Sequence, residues 1–291
     1  MEPEPHLPTH LGVESIADKR MDWTRWFIVP RIFMITLSAY SFVPQYDRIR
    51  SHGNCDGITS YYILFSLIVA TEQFARMFAF LVAIDDREQC LIEAPSKAHD
   101  RLNLAQCTVL WLCNLFLFGL YLFYPSVGHV SKISMVLIYV AFLSSSVGPF
   151  MWLTTLPPSR SRDFYKSQPW RMCILKFMHG AIYNPIFTTM SIFGLLVQLL
   201  HTRSRSDPGA LSIVGLRMQA VVFWILSIVW RFFFRLSPVA GTVEWGPVFQ
   251  SVSVAATYFA GWYRLIGWTA TNSLVFAIGQ GLISLAATGA I

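Results

Sequence analysis

Apolar runs of membrane-spanning length recur along this chain and bound what it can become. A helix needs about 20 mostly apolar residues to cross the hydrocarbon core of a bilayer. Runs of that kind lie at 26–44, 60–84, 103–123, 131–153, 174–200, 211–235 and 246–266. A further stretch, 271–289, is glycine-rich and reads either as an eighth span, which is preferred, or as a segment lying on the bundle. Charge is correspondingly scarce: 13% of residues are charged and 54% hydrophobic, with a mean hydropathy of +0.49. A soluble domain carries about a quarter charged residues. The expected fold class is an all-α integral membrane protein of seven or eight transmembrane helices, with a polar tail over 1–25 and one helical domain over 26–291.

The net charge of +6 is expected to reflect loop lysines and arginines near lipid headgroups. No basic stripe with interleaved aromatics stands outside the apolar runs, so nucleic acid is not an expected partner; the lipid bilayer is. Cys55, Cys90, Cys107, Cys113 and Cys173 are odd in number and irregularly spaced, which gives neither a disulfide framework nor a zinc site. The opening MEPEPHLPTHLGVESIADKR lacks the basic start and apolar centre of a signal peptide, so the first span is expected to direct insertion. The closing TGAI offers no lipidation cysteine. Lys19, Arg20 and Arg25, the 85–102 loop, and Arg160, Arg162, Lys166 and Arg171 of the 154–173 loop share one side and outnumber Arg48, Arg50, Lys132, Arg203 and Arg205 on the other. The positive-inside rule then puts the N-terminus in the cytosol. The expected location is a multi-pass position in the endomembrane system, in the endoplasmic reticulum.

Two loops repeat a pattern. VPQYDRIRSHGNCDGITSYY (43–62) and VQLLHTRSRSDPGALS (197–212) each link one apolar run to the next through an arginine-bearing loop. Gln198 matches Gln45, Arg203 matches Arg50 and Ser204 matches Ser51. After a one-residue slip, Gly209 matches Gly57 and Ser212 matches Ser60. So few matches can arise by chance, but their like placement on the helices favours a repeat with halves of about 26–123 and 174–266 and a linker span at 131–153. The first copy resembles the Pro-Gln loop of the PQ-loop membrane proteins, which include SWEET sugar transporters and cystinosin-type carriers. That resemblance implies two three-helix units around a central site. The second copy departs from it, with Val197 before Gln198. SWEET-type carriers also place an asparagine on the third helix of each half; Asn114 fits the first half, and 246–266 contains none. A second likeness covers more of the chain. DWTRWF (22–27), the Pro-Gln loop and GITSYYILFSLIVATEQF (57–74) together resemble fungal membrane proteins, some of them membrane-bound terpene cyclases of meroterpenoid pathways of the ascofuranone and macrophorin type. This implies a secondary-metabolite enzyme acting on a lipophilic prenylated aromatic, alongside other pathway enzymes.

Glu72 is the most informative single residue. It lies twelve positions into its span, about 18 Å along the axis, and a carboxylate at that depth faces a partner or a cavity. Loss of hydration disfavours the charged form of a carboxyl, and a neutral acid is what protonation of an alkene or epoxide requires. Arg76, at i+4 on the same face, supplies the competing reading of a purely structural ion pair. The repeat register sets Glu72 opposite Trp224, where an indole face can stabilise a developing cation; the competing reading is an interfacial anchor. Asp56 and Glu244, at span ends, are alternative acids or relay groups, and each also reads as an interfacial charge; Asp56 beside Gly57 also suits a helix cap. Asn114, His179, Asn184 and Gln219 can bind a substrate hydroxyl or carbonyl, or simply join helices. Pro185 is expected to kink the fifth span beside Asn184. Lys176, Arg217, Arg231 and Arg235 read as snorkelling side chains.

IDDREQ (84–89) is similar to the Asp-rich, magnesium-binding motif of enzymes that ionise prenyl diphosphates, but Gln89 stands where the closing aspartate belongs. Asp85 and Asp86 read as a solvated loop. The expected activity is therefore a metal-independent, cofactor-free, protonation-initiated terpene cyclisation. The alternative is a PQ-loop-type carrier of a small solute in which Glu72 carries a proton. A receptor or scaffold without turnover is the third.

Overall fold

The structure, a computed structural model, describes residues 28–82, 98–126, 130–155, 178–205, 207–233, 259–260, 262–263 and 267–291. Among these residues the regular structure is helical and no strand occurs. α1 covers 28–40 and passes through a short turn into α2 (Val43–His52). α3 is Ser60–Val82 and α4 is Ala98–Phe123. α5 (Lys132–Phe142) continues through a π-helical turn, Leu143–Val147, into α6 (Gly148–Thr155). A second π-helical turn, Met178–Tyr183, leads into α7 (Asn184–Arg203), followed by α8 (Ile213–Phe233) and α9 (Trp268–Ala287).

Among the described residues five stretches are long and apolar enough to cross a membrane: Ser60–Ala79, Asp100–Phe123, Met178–Arg203, Ile213–Trp230 and Trp268–Ala287. The glycine-rich stretch expected at 271–289 is thus a full-length apolar helix, and it packs against α7 and α8. The run expected at 246–266 lies almost wholly outside the described residues. Lys132–Val147 is apolar but shorter. The exterior carries Phe33, Phe116, Ile133, Phe193, Leu200 and Val214, all exposed, an apolar surface suited to lipid rather than water.

α3 is the central helix: 78% of its membrane window is buried, against 28% for Met178–Arg203. It packs on α4, α5, α6 and α7. Its polar residues Thr71, Glu72, Gln73 and Arg76 are therefore enclosed by protein. Small residues permit the close approach. A β-carbon at Gly194 of α7 would lie 3.2 Å from the Tyr61 carbonyl oxygen, and one at Gly279 of α9 would lie 2.6 Å from Leu195.

The two arginine-bearing loops cross each other. Gln45 donates Nε2 to the Ala210 carbonyl and accepts from the Ser212 N–H, both at 2.8 Å. Gln198 donates Nε2 to the Gly57 carbonyl and accepts from the Thr59 N–H, both at 2.7 Å. The Ala210 N–H donates to the Asp56 carbonyl at 2.7 Å. Gly57 and Gly209 sit at φ of +95° and +62°, and a β-carbon on either would come within 2.4 Å of the carbonyl oxygen of Pro208 or Asp56 respectively. Backbone thus passes backbone with no room for a side chain. Two correspondences run through this crossing. By hydrogen-bond role Gly57 answers to Ala210 and Thr59 to Ser212, at the spacing that relates Gln45 to Gln198; by positive φ and close backbone approach Gly57 answers to Gly209, one residue off that spacing.

Candidate active site

Glu72 is 2% exposed, at the middle of α3. Ser146 Oγ donates to its Oε2 at 3.1 Å. His179 Nδ1 lies 2.6 Å from its Oε1, the distance of a short, strong hydrogen bond. The two partners come from different parts of the chain but from the same kind of local structure. Ser146 is in the first π-helical turn and His179 in the second. Each turn is followed by a proline, Pro149 and Pro185. A proline has no N–H for the carbonyl four residues back, and its ring crowds that carbonyl. Those carbonyls belong to Ser145 and Ala181, inside the two turns. Widening the helix by a residue there relieves the clash, and such π turns recur at functional sites.

Arg76 extends its guanidinium over the Trp268 ring, 4.4 Å from the centroid, and interacts electrostatically with both Glu72 and Tyr263. Glu72 thus engages a histidine and a serine from other helices besides its electrostatic contact with Arg76, the competing reading that the sequence offered. Trp224 is 55% exposed and lies on the outside of α8, so it does not face the buried acid. The aromatic surface near Glu72 runs instead from His179 through Tyr183 (5.0 Å between centroids), Phe187 (5.8 Å), Phe142 (5.3 Å) and Tyr139 (6.2 Å).

A cavity of about 30 Å³ opens between α3, α4, α7, α8 and α9, room for roughly two waters. Ser66, Gln73, Asn114, Ser191, Asn272 and Ser273 supply its polar wall, and Phe223 and Phe276 belong to its apolar wall. Asn114 donates Nδ2 to the Leu110 carbonyl of its own helix at 2.8 Å. Asn272 accepts at Oδ1 from Thr188 at 2.6 Å, and Thr188 in turn lies 2.6 Å from the Tyr263 hydroxyl. Asn272 of α9 lines the same cavity as Asn114 of α4.

The remaining expected residues scatter. Asp56 lies in the crossed loop, four residues before α3 begins, and is not brought to Glu72. Asn184 is 2% exposed at the start of α7, directly after the second π turn. Gln219 donates to the Ser41 carbonyl at 3.4 Å, a helix-joining role. Arg217 donates to Ser284 at 3.2 Å. Glu244, Asp85, Asp86 and Lys176 lie outside the described residues. Ser146, Asn272, Thr188 and Tyr263 were not singled out from sequence; the one local signal was the proline that follows Ser146. No protein-family model matches the chain, and no curated protein or solved structure matches it either.

Proposed function

We propose that this chain is a membrane-embedded terpene cyclase that isomerises a prenylated aromatic, or its epoxide, by proton transfer without a metal. The observation that carries the reading is the Glu72–His179 pair, a carboxyl and an imidazole 2.6 Å apart inside an apolar bundle. In the proposed step Glu72 gives its proton to a terminal alkene carbon or to an epoxide oxygen. The resulting cation is captured by an internal double bond or by the phenol oxygen. A proton then leaves the last intermediate and returns to the carboxylate, so product and substrate have equal mass. His179 holds the acid in position, and Ser146, donating to the other oxygen, stabilises the carboxylate left after transfer. Tyr183, Phe187, Phe142 and Tyr139 offer faces to the cation, and exclusion of water keeps it from being quenched.

The reading includes the architecture behind it: seven or eight crossings arranged as two three-helix units. The crossed glutamine clamps, with like roles at one constant spacing, support such a repeat. The third helix of the second unit is then α9 rather than 246–266.

A carrier is the second reading, favoured by a specific observation: Asn114 and Asn272 face one cavity between the two sets of helices. The experiment that separates the two uses microsomes from yeast expressing the chain, a panel of farnesylated phenols and their epoxides, and a metal chelator. The cyclase reading expects an isomer of unchanged mass and altered retention. Glu72→Gln is expected to lower its formation by about 10²–10⁴-fold, the usual contribution of a general acid. Uptake of unchanged solute into vesicles, with no isomer from any substrate, would support the carrier instead.

A further inference from the structure

We propose that Thr188 and Tyr263 are positioning residues that set the ligand class of the central cavity, a neutral hydroxyl group; this rests on the cavity being a ligand site, in either reading above. The argument follows the protons. Thr188 has a single hydroxyl proton, and it is donated to Asn272 Oδ1. The proton in the 2.6 Å contact between Thr188 and Tyr263 must therefore come from Tyr263. The chain Tyr263→Thr188→Asn272 engages the amide oxygen of Asn272 and turns its NH₂ toward the cavity. Asn114 is set the opposite way. Its NH₂ is tied to the Leu110 carbonyl, so its oxygen is the group left to face the cavity. The pair presents one fixed donor and one fixed acceptor across a space lined by no charged side chain.

A hydroxyl satisfies both at once, donating to Asn114 and accepting from Asn272. An ether can only accept, and an ion would lie in a cavity without a counter-charge, which is costly. A site built to hydrogen-bond a hydroxyl rejects an analogue lacking its proton far more strongly than an apolar pocket rejects a missing methylene. The hydroxyl can belong to the aromatic ring of a prenylated phenol or to a polyol, and the two are separable by experiment.

The test uses the full chain purified into lipid nanodiscs, with binding followed by intrinsic tryptophan fluorescence. One pair of probes is a farnesylated phenol and its O-methyl ether; the other is a hexose and its permethylated derivative. The wild-type chain is expected to prefer the hydroxyl member of the pair that binds by about tenfold or more. T188S retains the donor and is expected to keep that preference. T188V frees the Asn272 amide to turn, and the preference is expected to fall to within about twofold, because a free amide offers an oxygen as readily as an NH₂. Y263F, which removes the donor to Thr188, is expected to shift in the same direction and carries the test if T188V does not fold. The proposal is overturned if T188V and Y263F keep the wild-type preference, if hydroxyl and ether bind alike, or if neither hydroxyl probe binds. Binding of the phenol alone agrees with a cyclase and of the hexose alone with a carrier. The Glu72-dependent isomer assay is read separately, so loss of this inference leaves the cyclase reading standing or falling on its own result.

Discussion

A carboxyl group 2% exposed inside a helix bundle needs partners, and Glu72 has two of different kinds. Toward a carboxylate oxygen a serine hydroxyl can only donate, whereas an imidazole can hold a proton and pass it back. His179→Ala is expected to lower isomer formation by at least about tenfold while Ser146→Ala, losing one neutral hydrogen bond, costs less; side-by-side rate measurements in microsomes decide the order. Trp224→Ala is expected to leave the rate within about twofold, since the ring lies on the outer surface and surface changes away from special features are nearly neutral. A large loss there would return the indole to the site. Glu72 itself was legible from sequence, because a charge in the middle of an apolar run is costly enough to be informative. Its partner was not. His179 lies 107 positions away, and helical periodicity relates only near neighbours.

The two π turns are the elements that bring the partners to Glu72. A proline in a helix interior costs about 3 kcal/mol, and Pro149 and Pro185 each sit where that cost reshapes the preceding turn around Ser146 or His179. Pro185→Ala should therefore let the turn close toward α-helix, raise the temperature at which the protein aggregates in detergent, and lower activity. Pro149→Ala should do the same with a smaller loss of activity. Equal or higher activity with higher stability would show that the π turns do not position the acid. Pro185 marked its irregular turn in the sequence, whereas the packing of 271–289 on α7 and α8 was not marked: hydropathy gives an apolar run its length but not its neighbours. The positions of small residues carried more: Gly279 admits Leu195 at a distance no side chain would permit.

At the scale of the whole molecule, the crossed loops hold α2 and α3 to α7 and α8 at one end of the bundle. Gln45→Ala orphans the Ala210 carbonyl and the Ser212 N–H, and Gln198→Ala orphans the Gly57 carbonyl and the Thr59 N–H. Each orphaned group is expected to cost about 1–3 kcal/mol. Because either change loosens the same crossing, the double variant should lose less than the two single losses combined; thermal aggregation curves of the four proteins in detergent test this. The pairing of the two glutamines, and of Gly57 with Gly209, was readable in the sequence; the groups the glutamines bind were not, since a run of small and polar loop residues does not mark which carbonyl and N–H a distant side chain reaches. The central claim is that a proton from Glu72 starts an isomerisation. Its most direct test is to incubate wild-type and Glu72→Gln microsomes with farnesylated phenols and their epoxides in the presence of a chelator, following products by chromatography and mass. The account predicts a new compound of unchanged mass in the wild type that is absent from the variant. An isomer formed equally by both, or no isomer from any substrate, would contradict it.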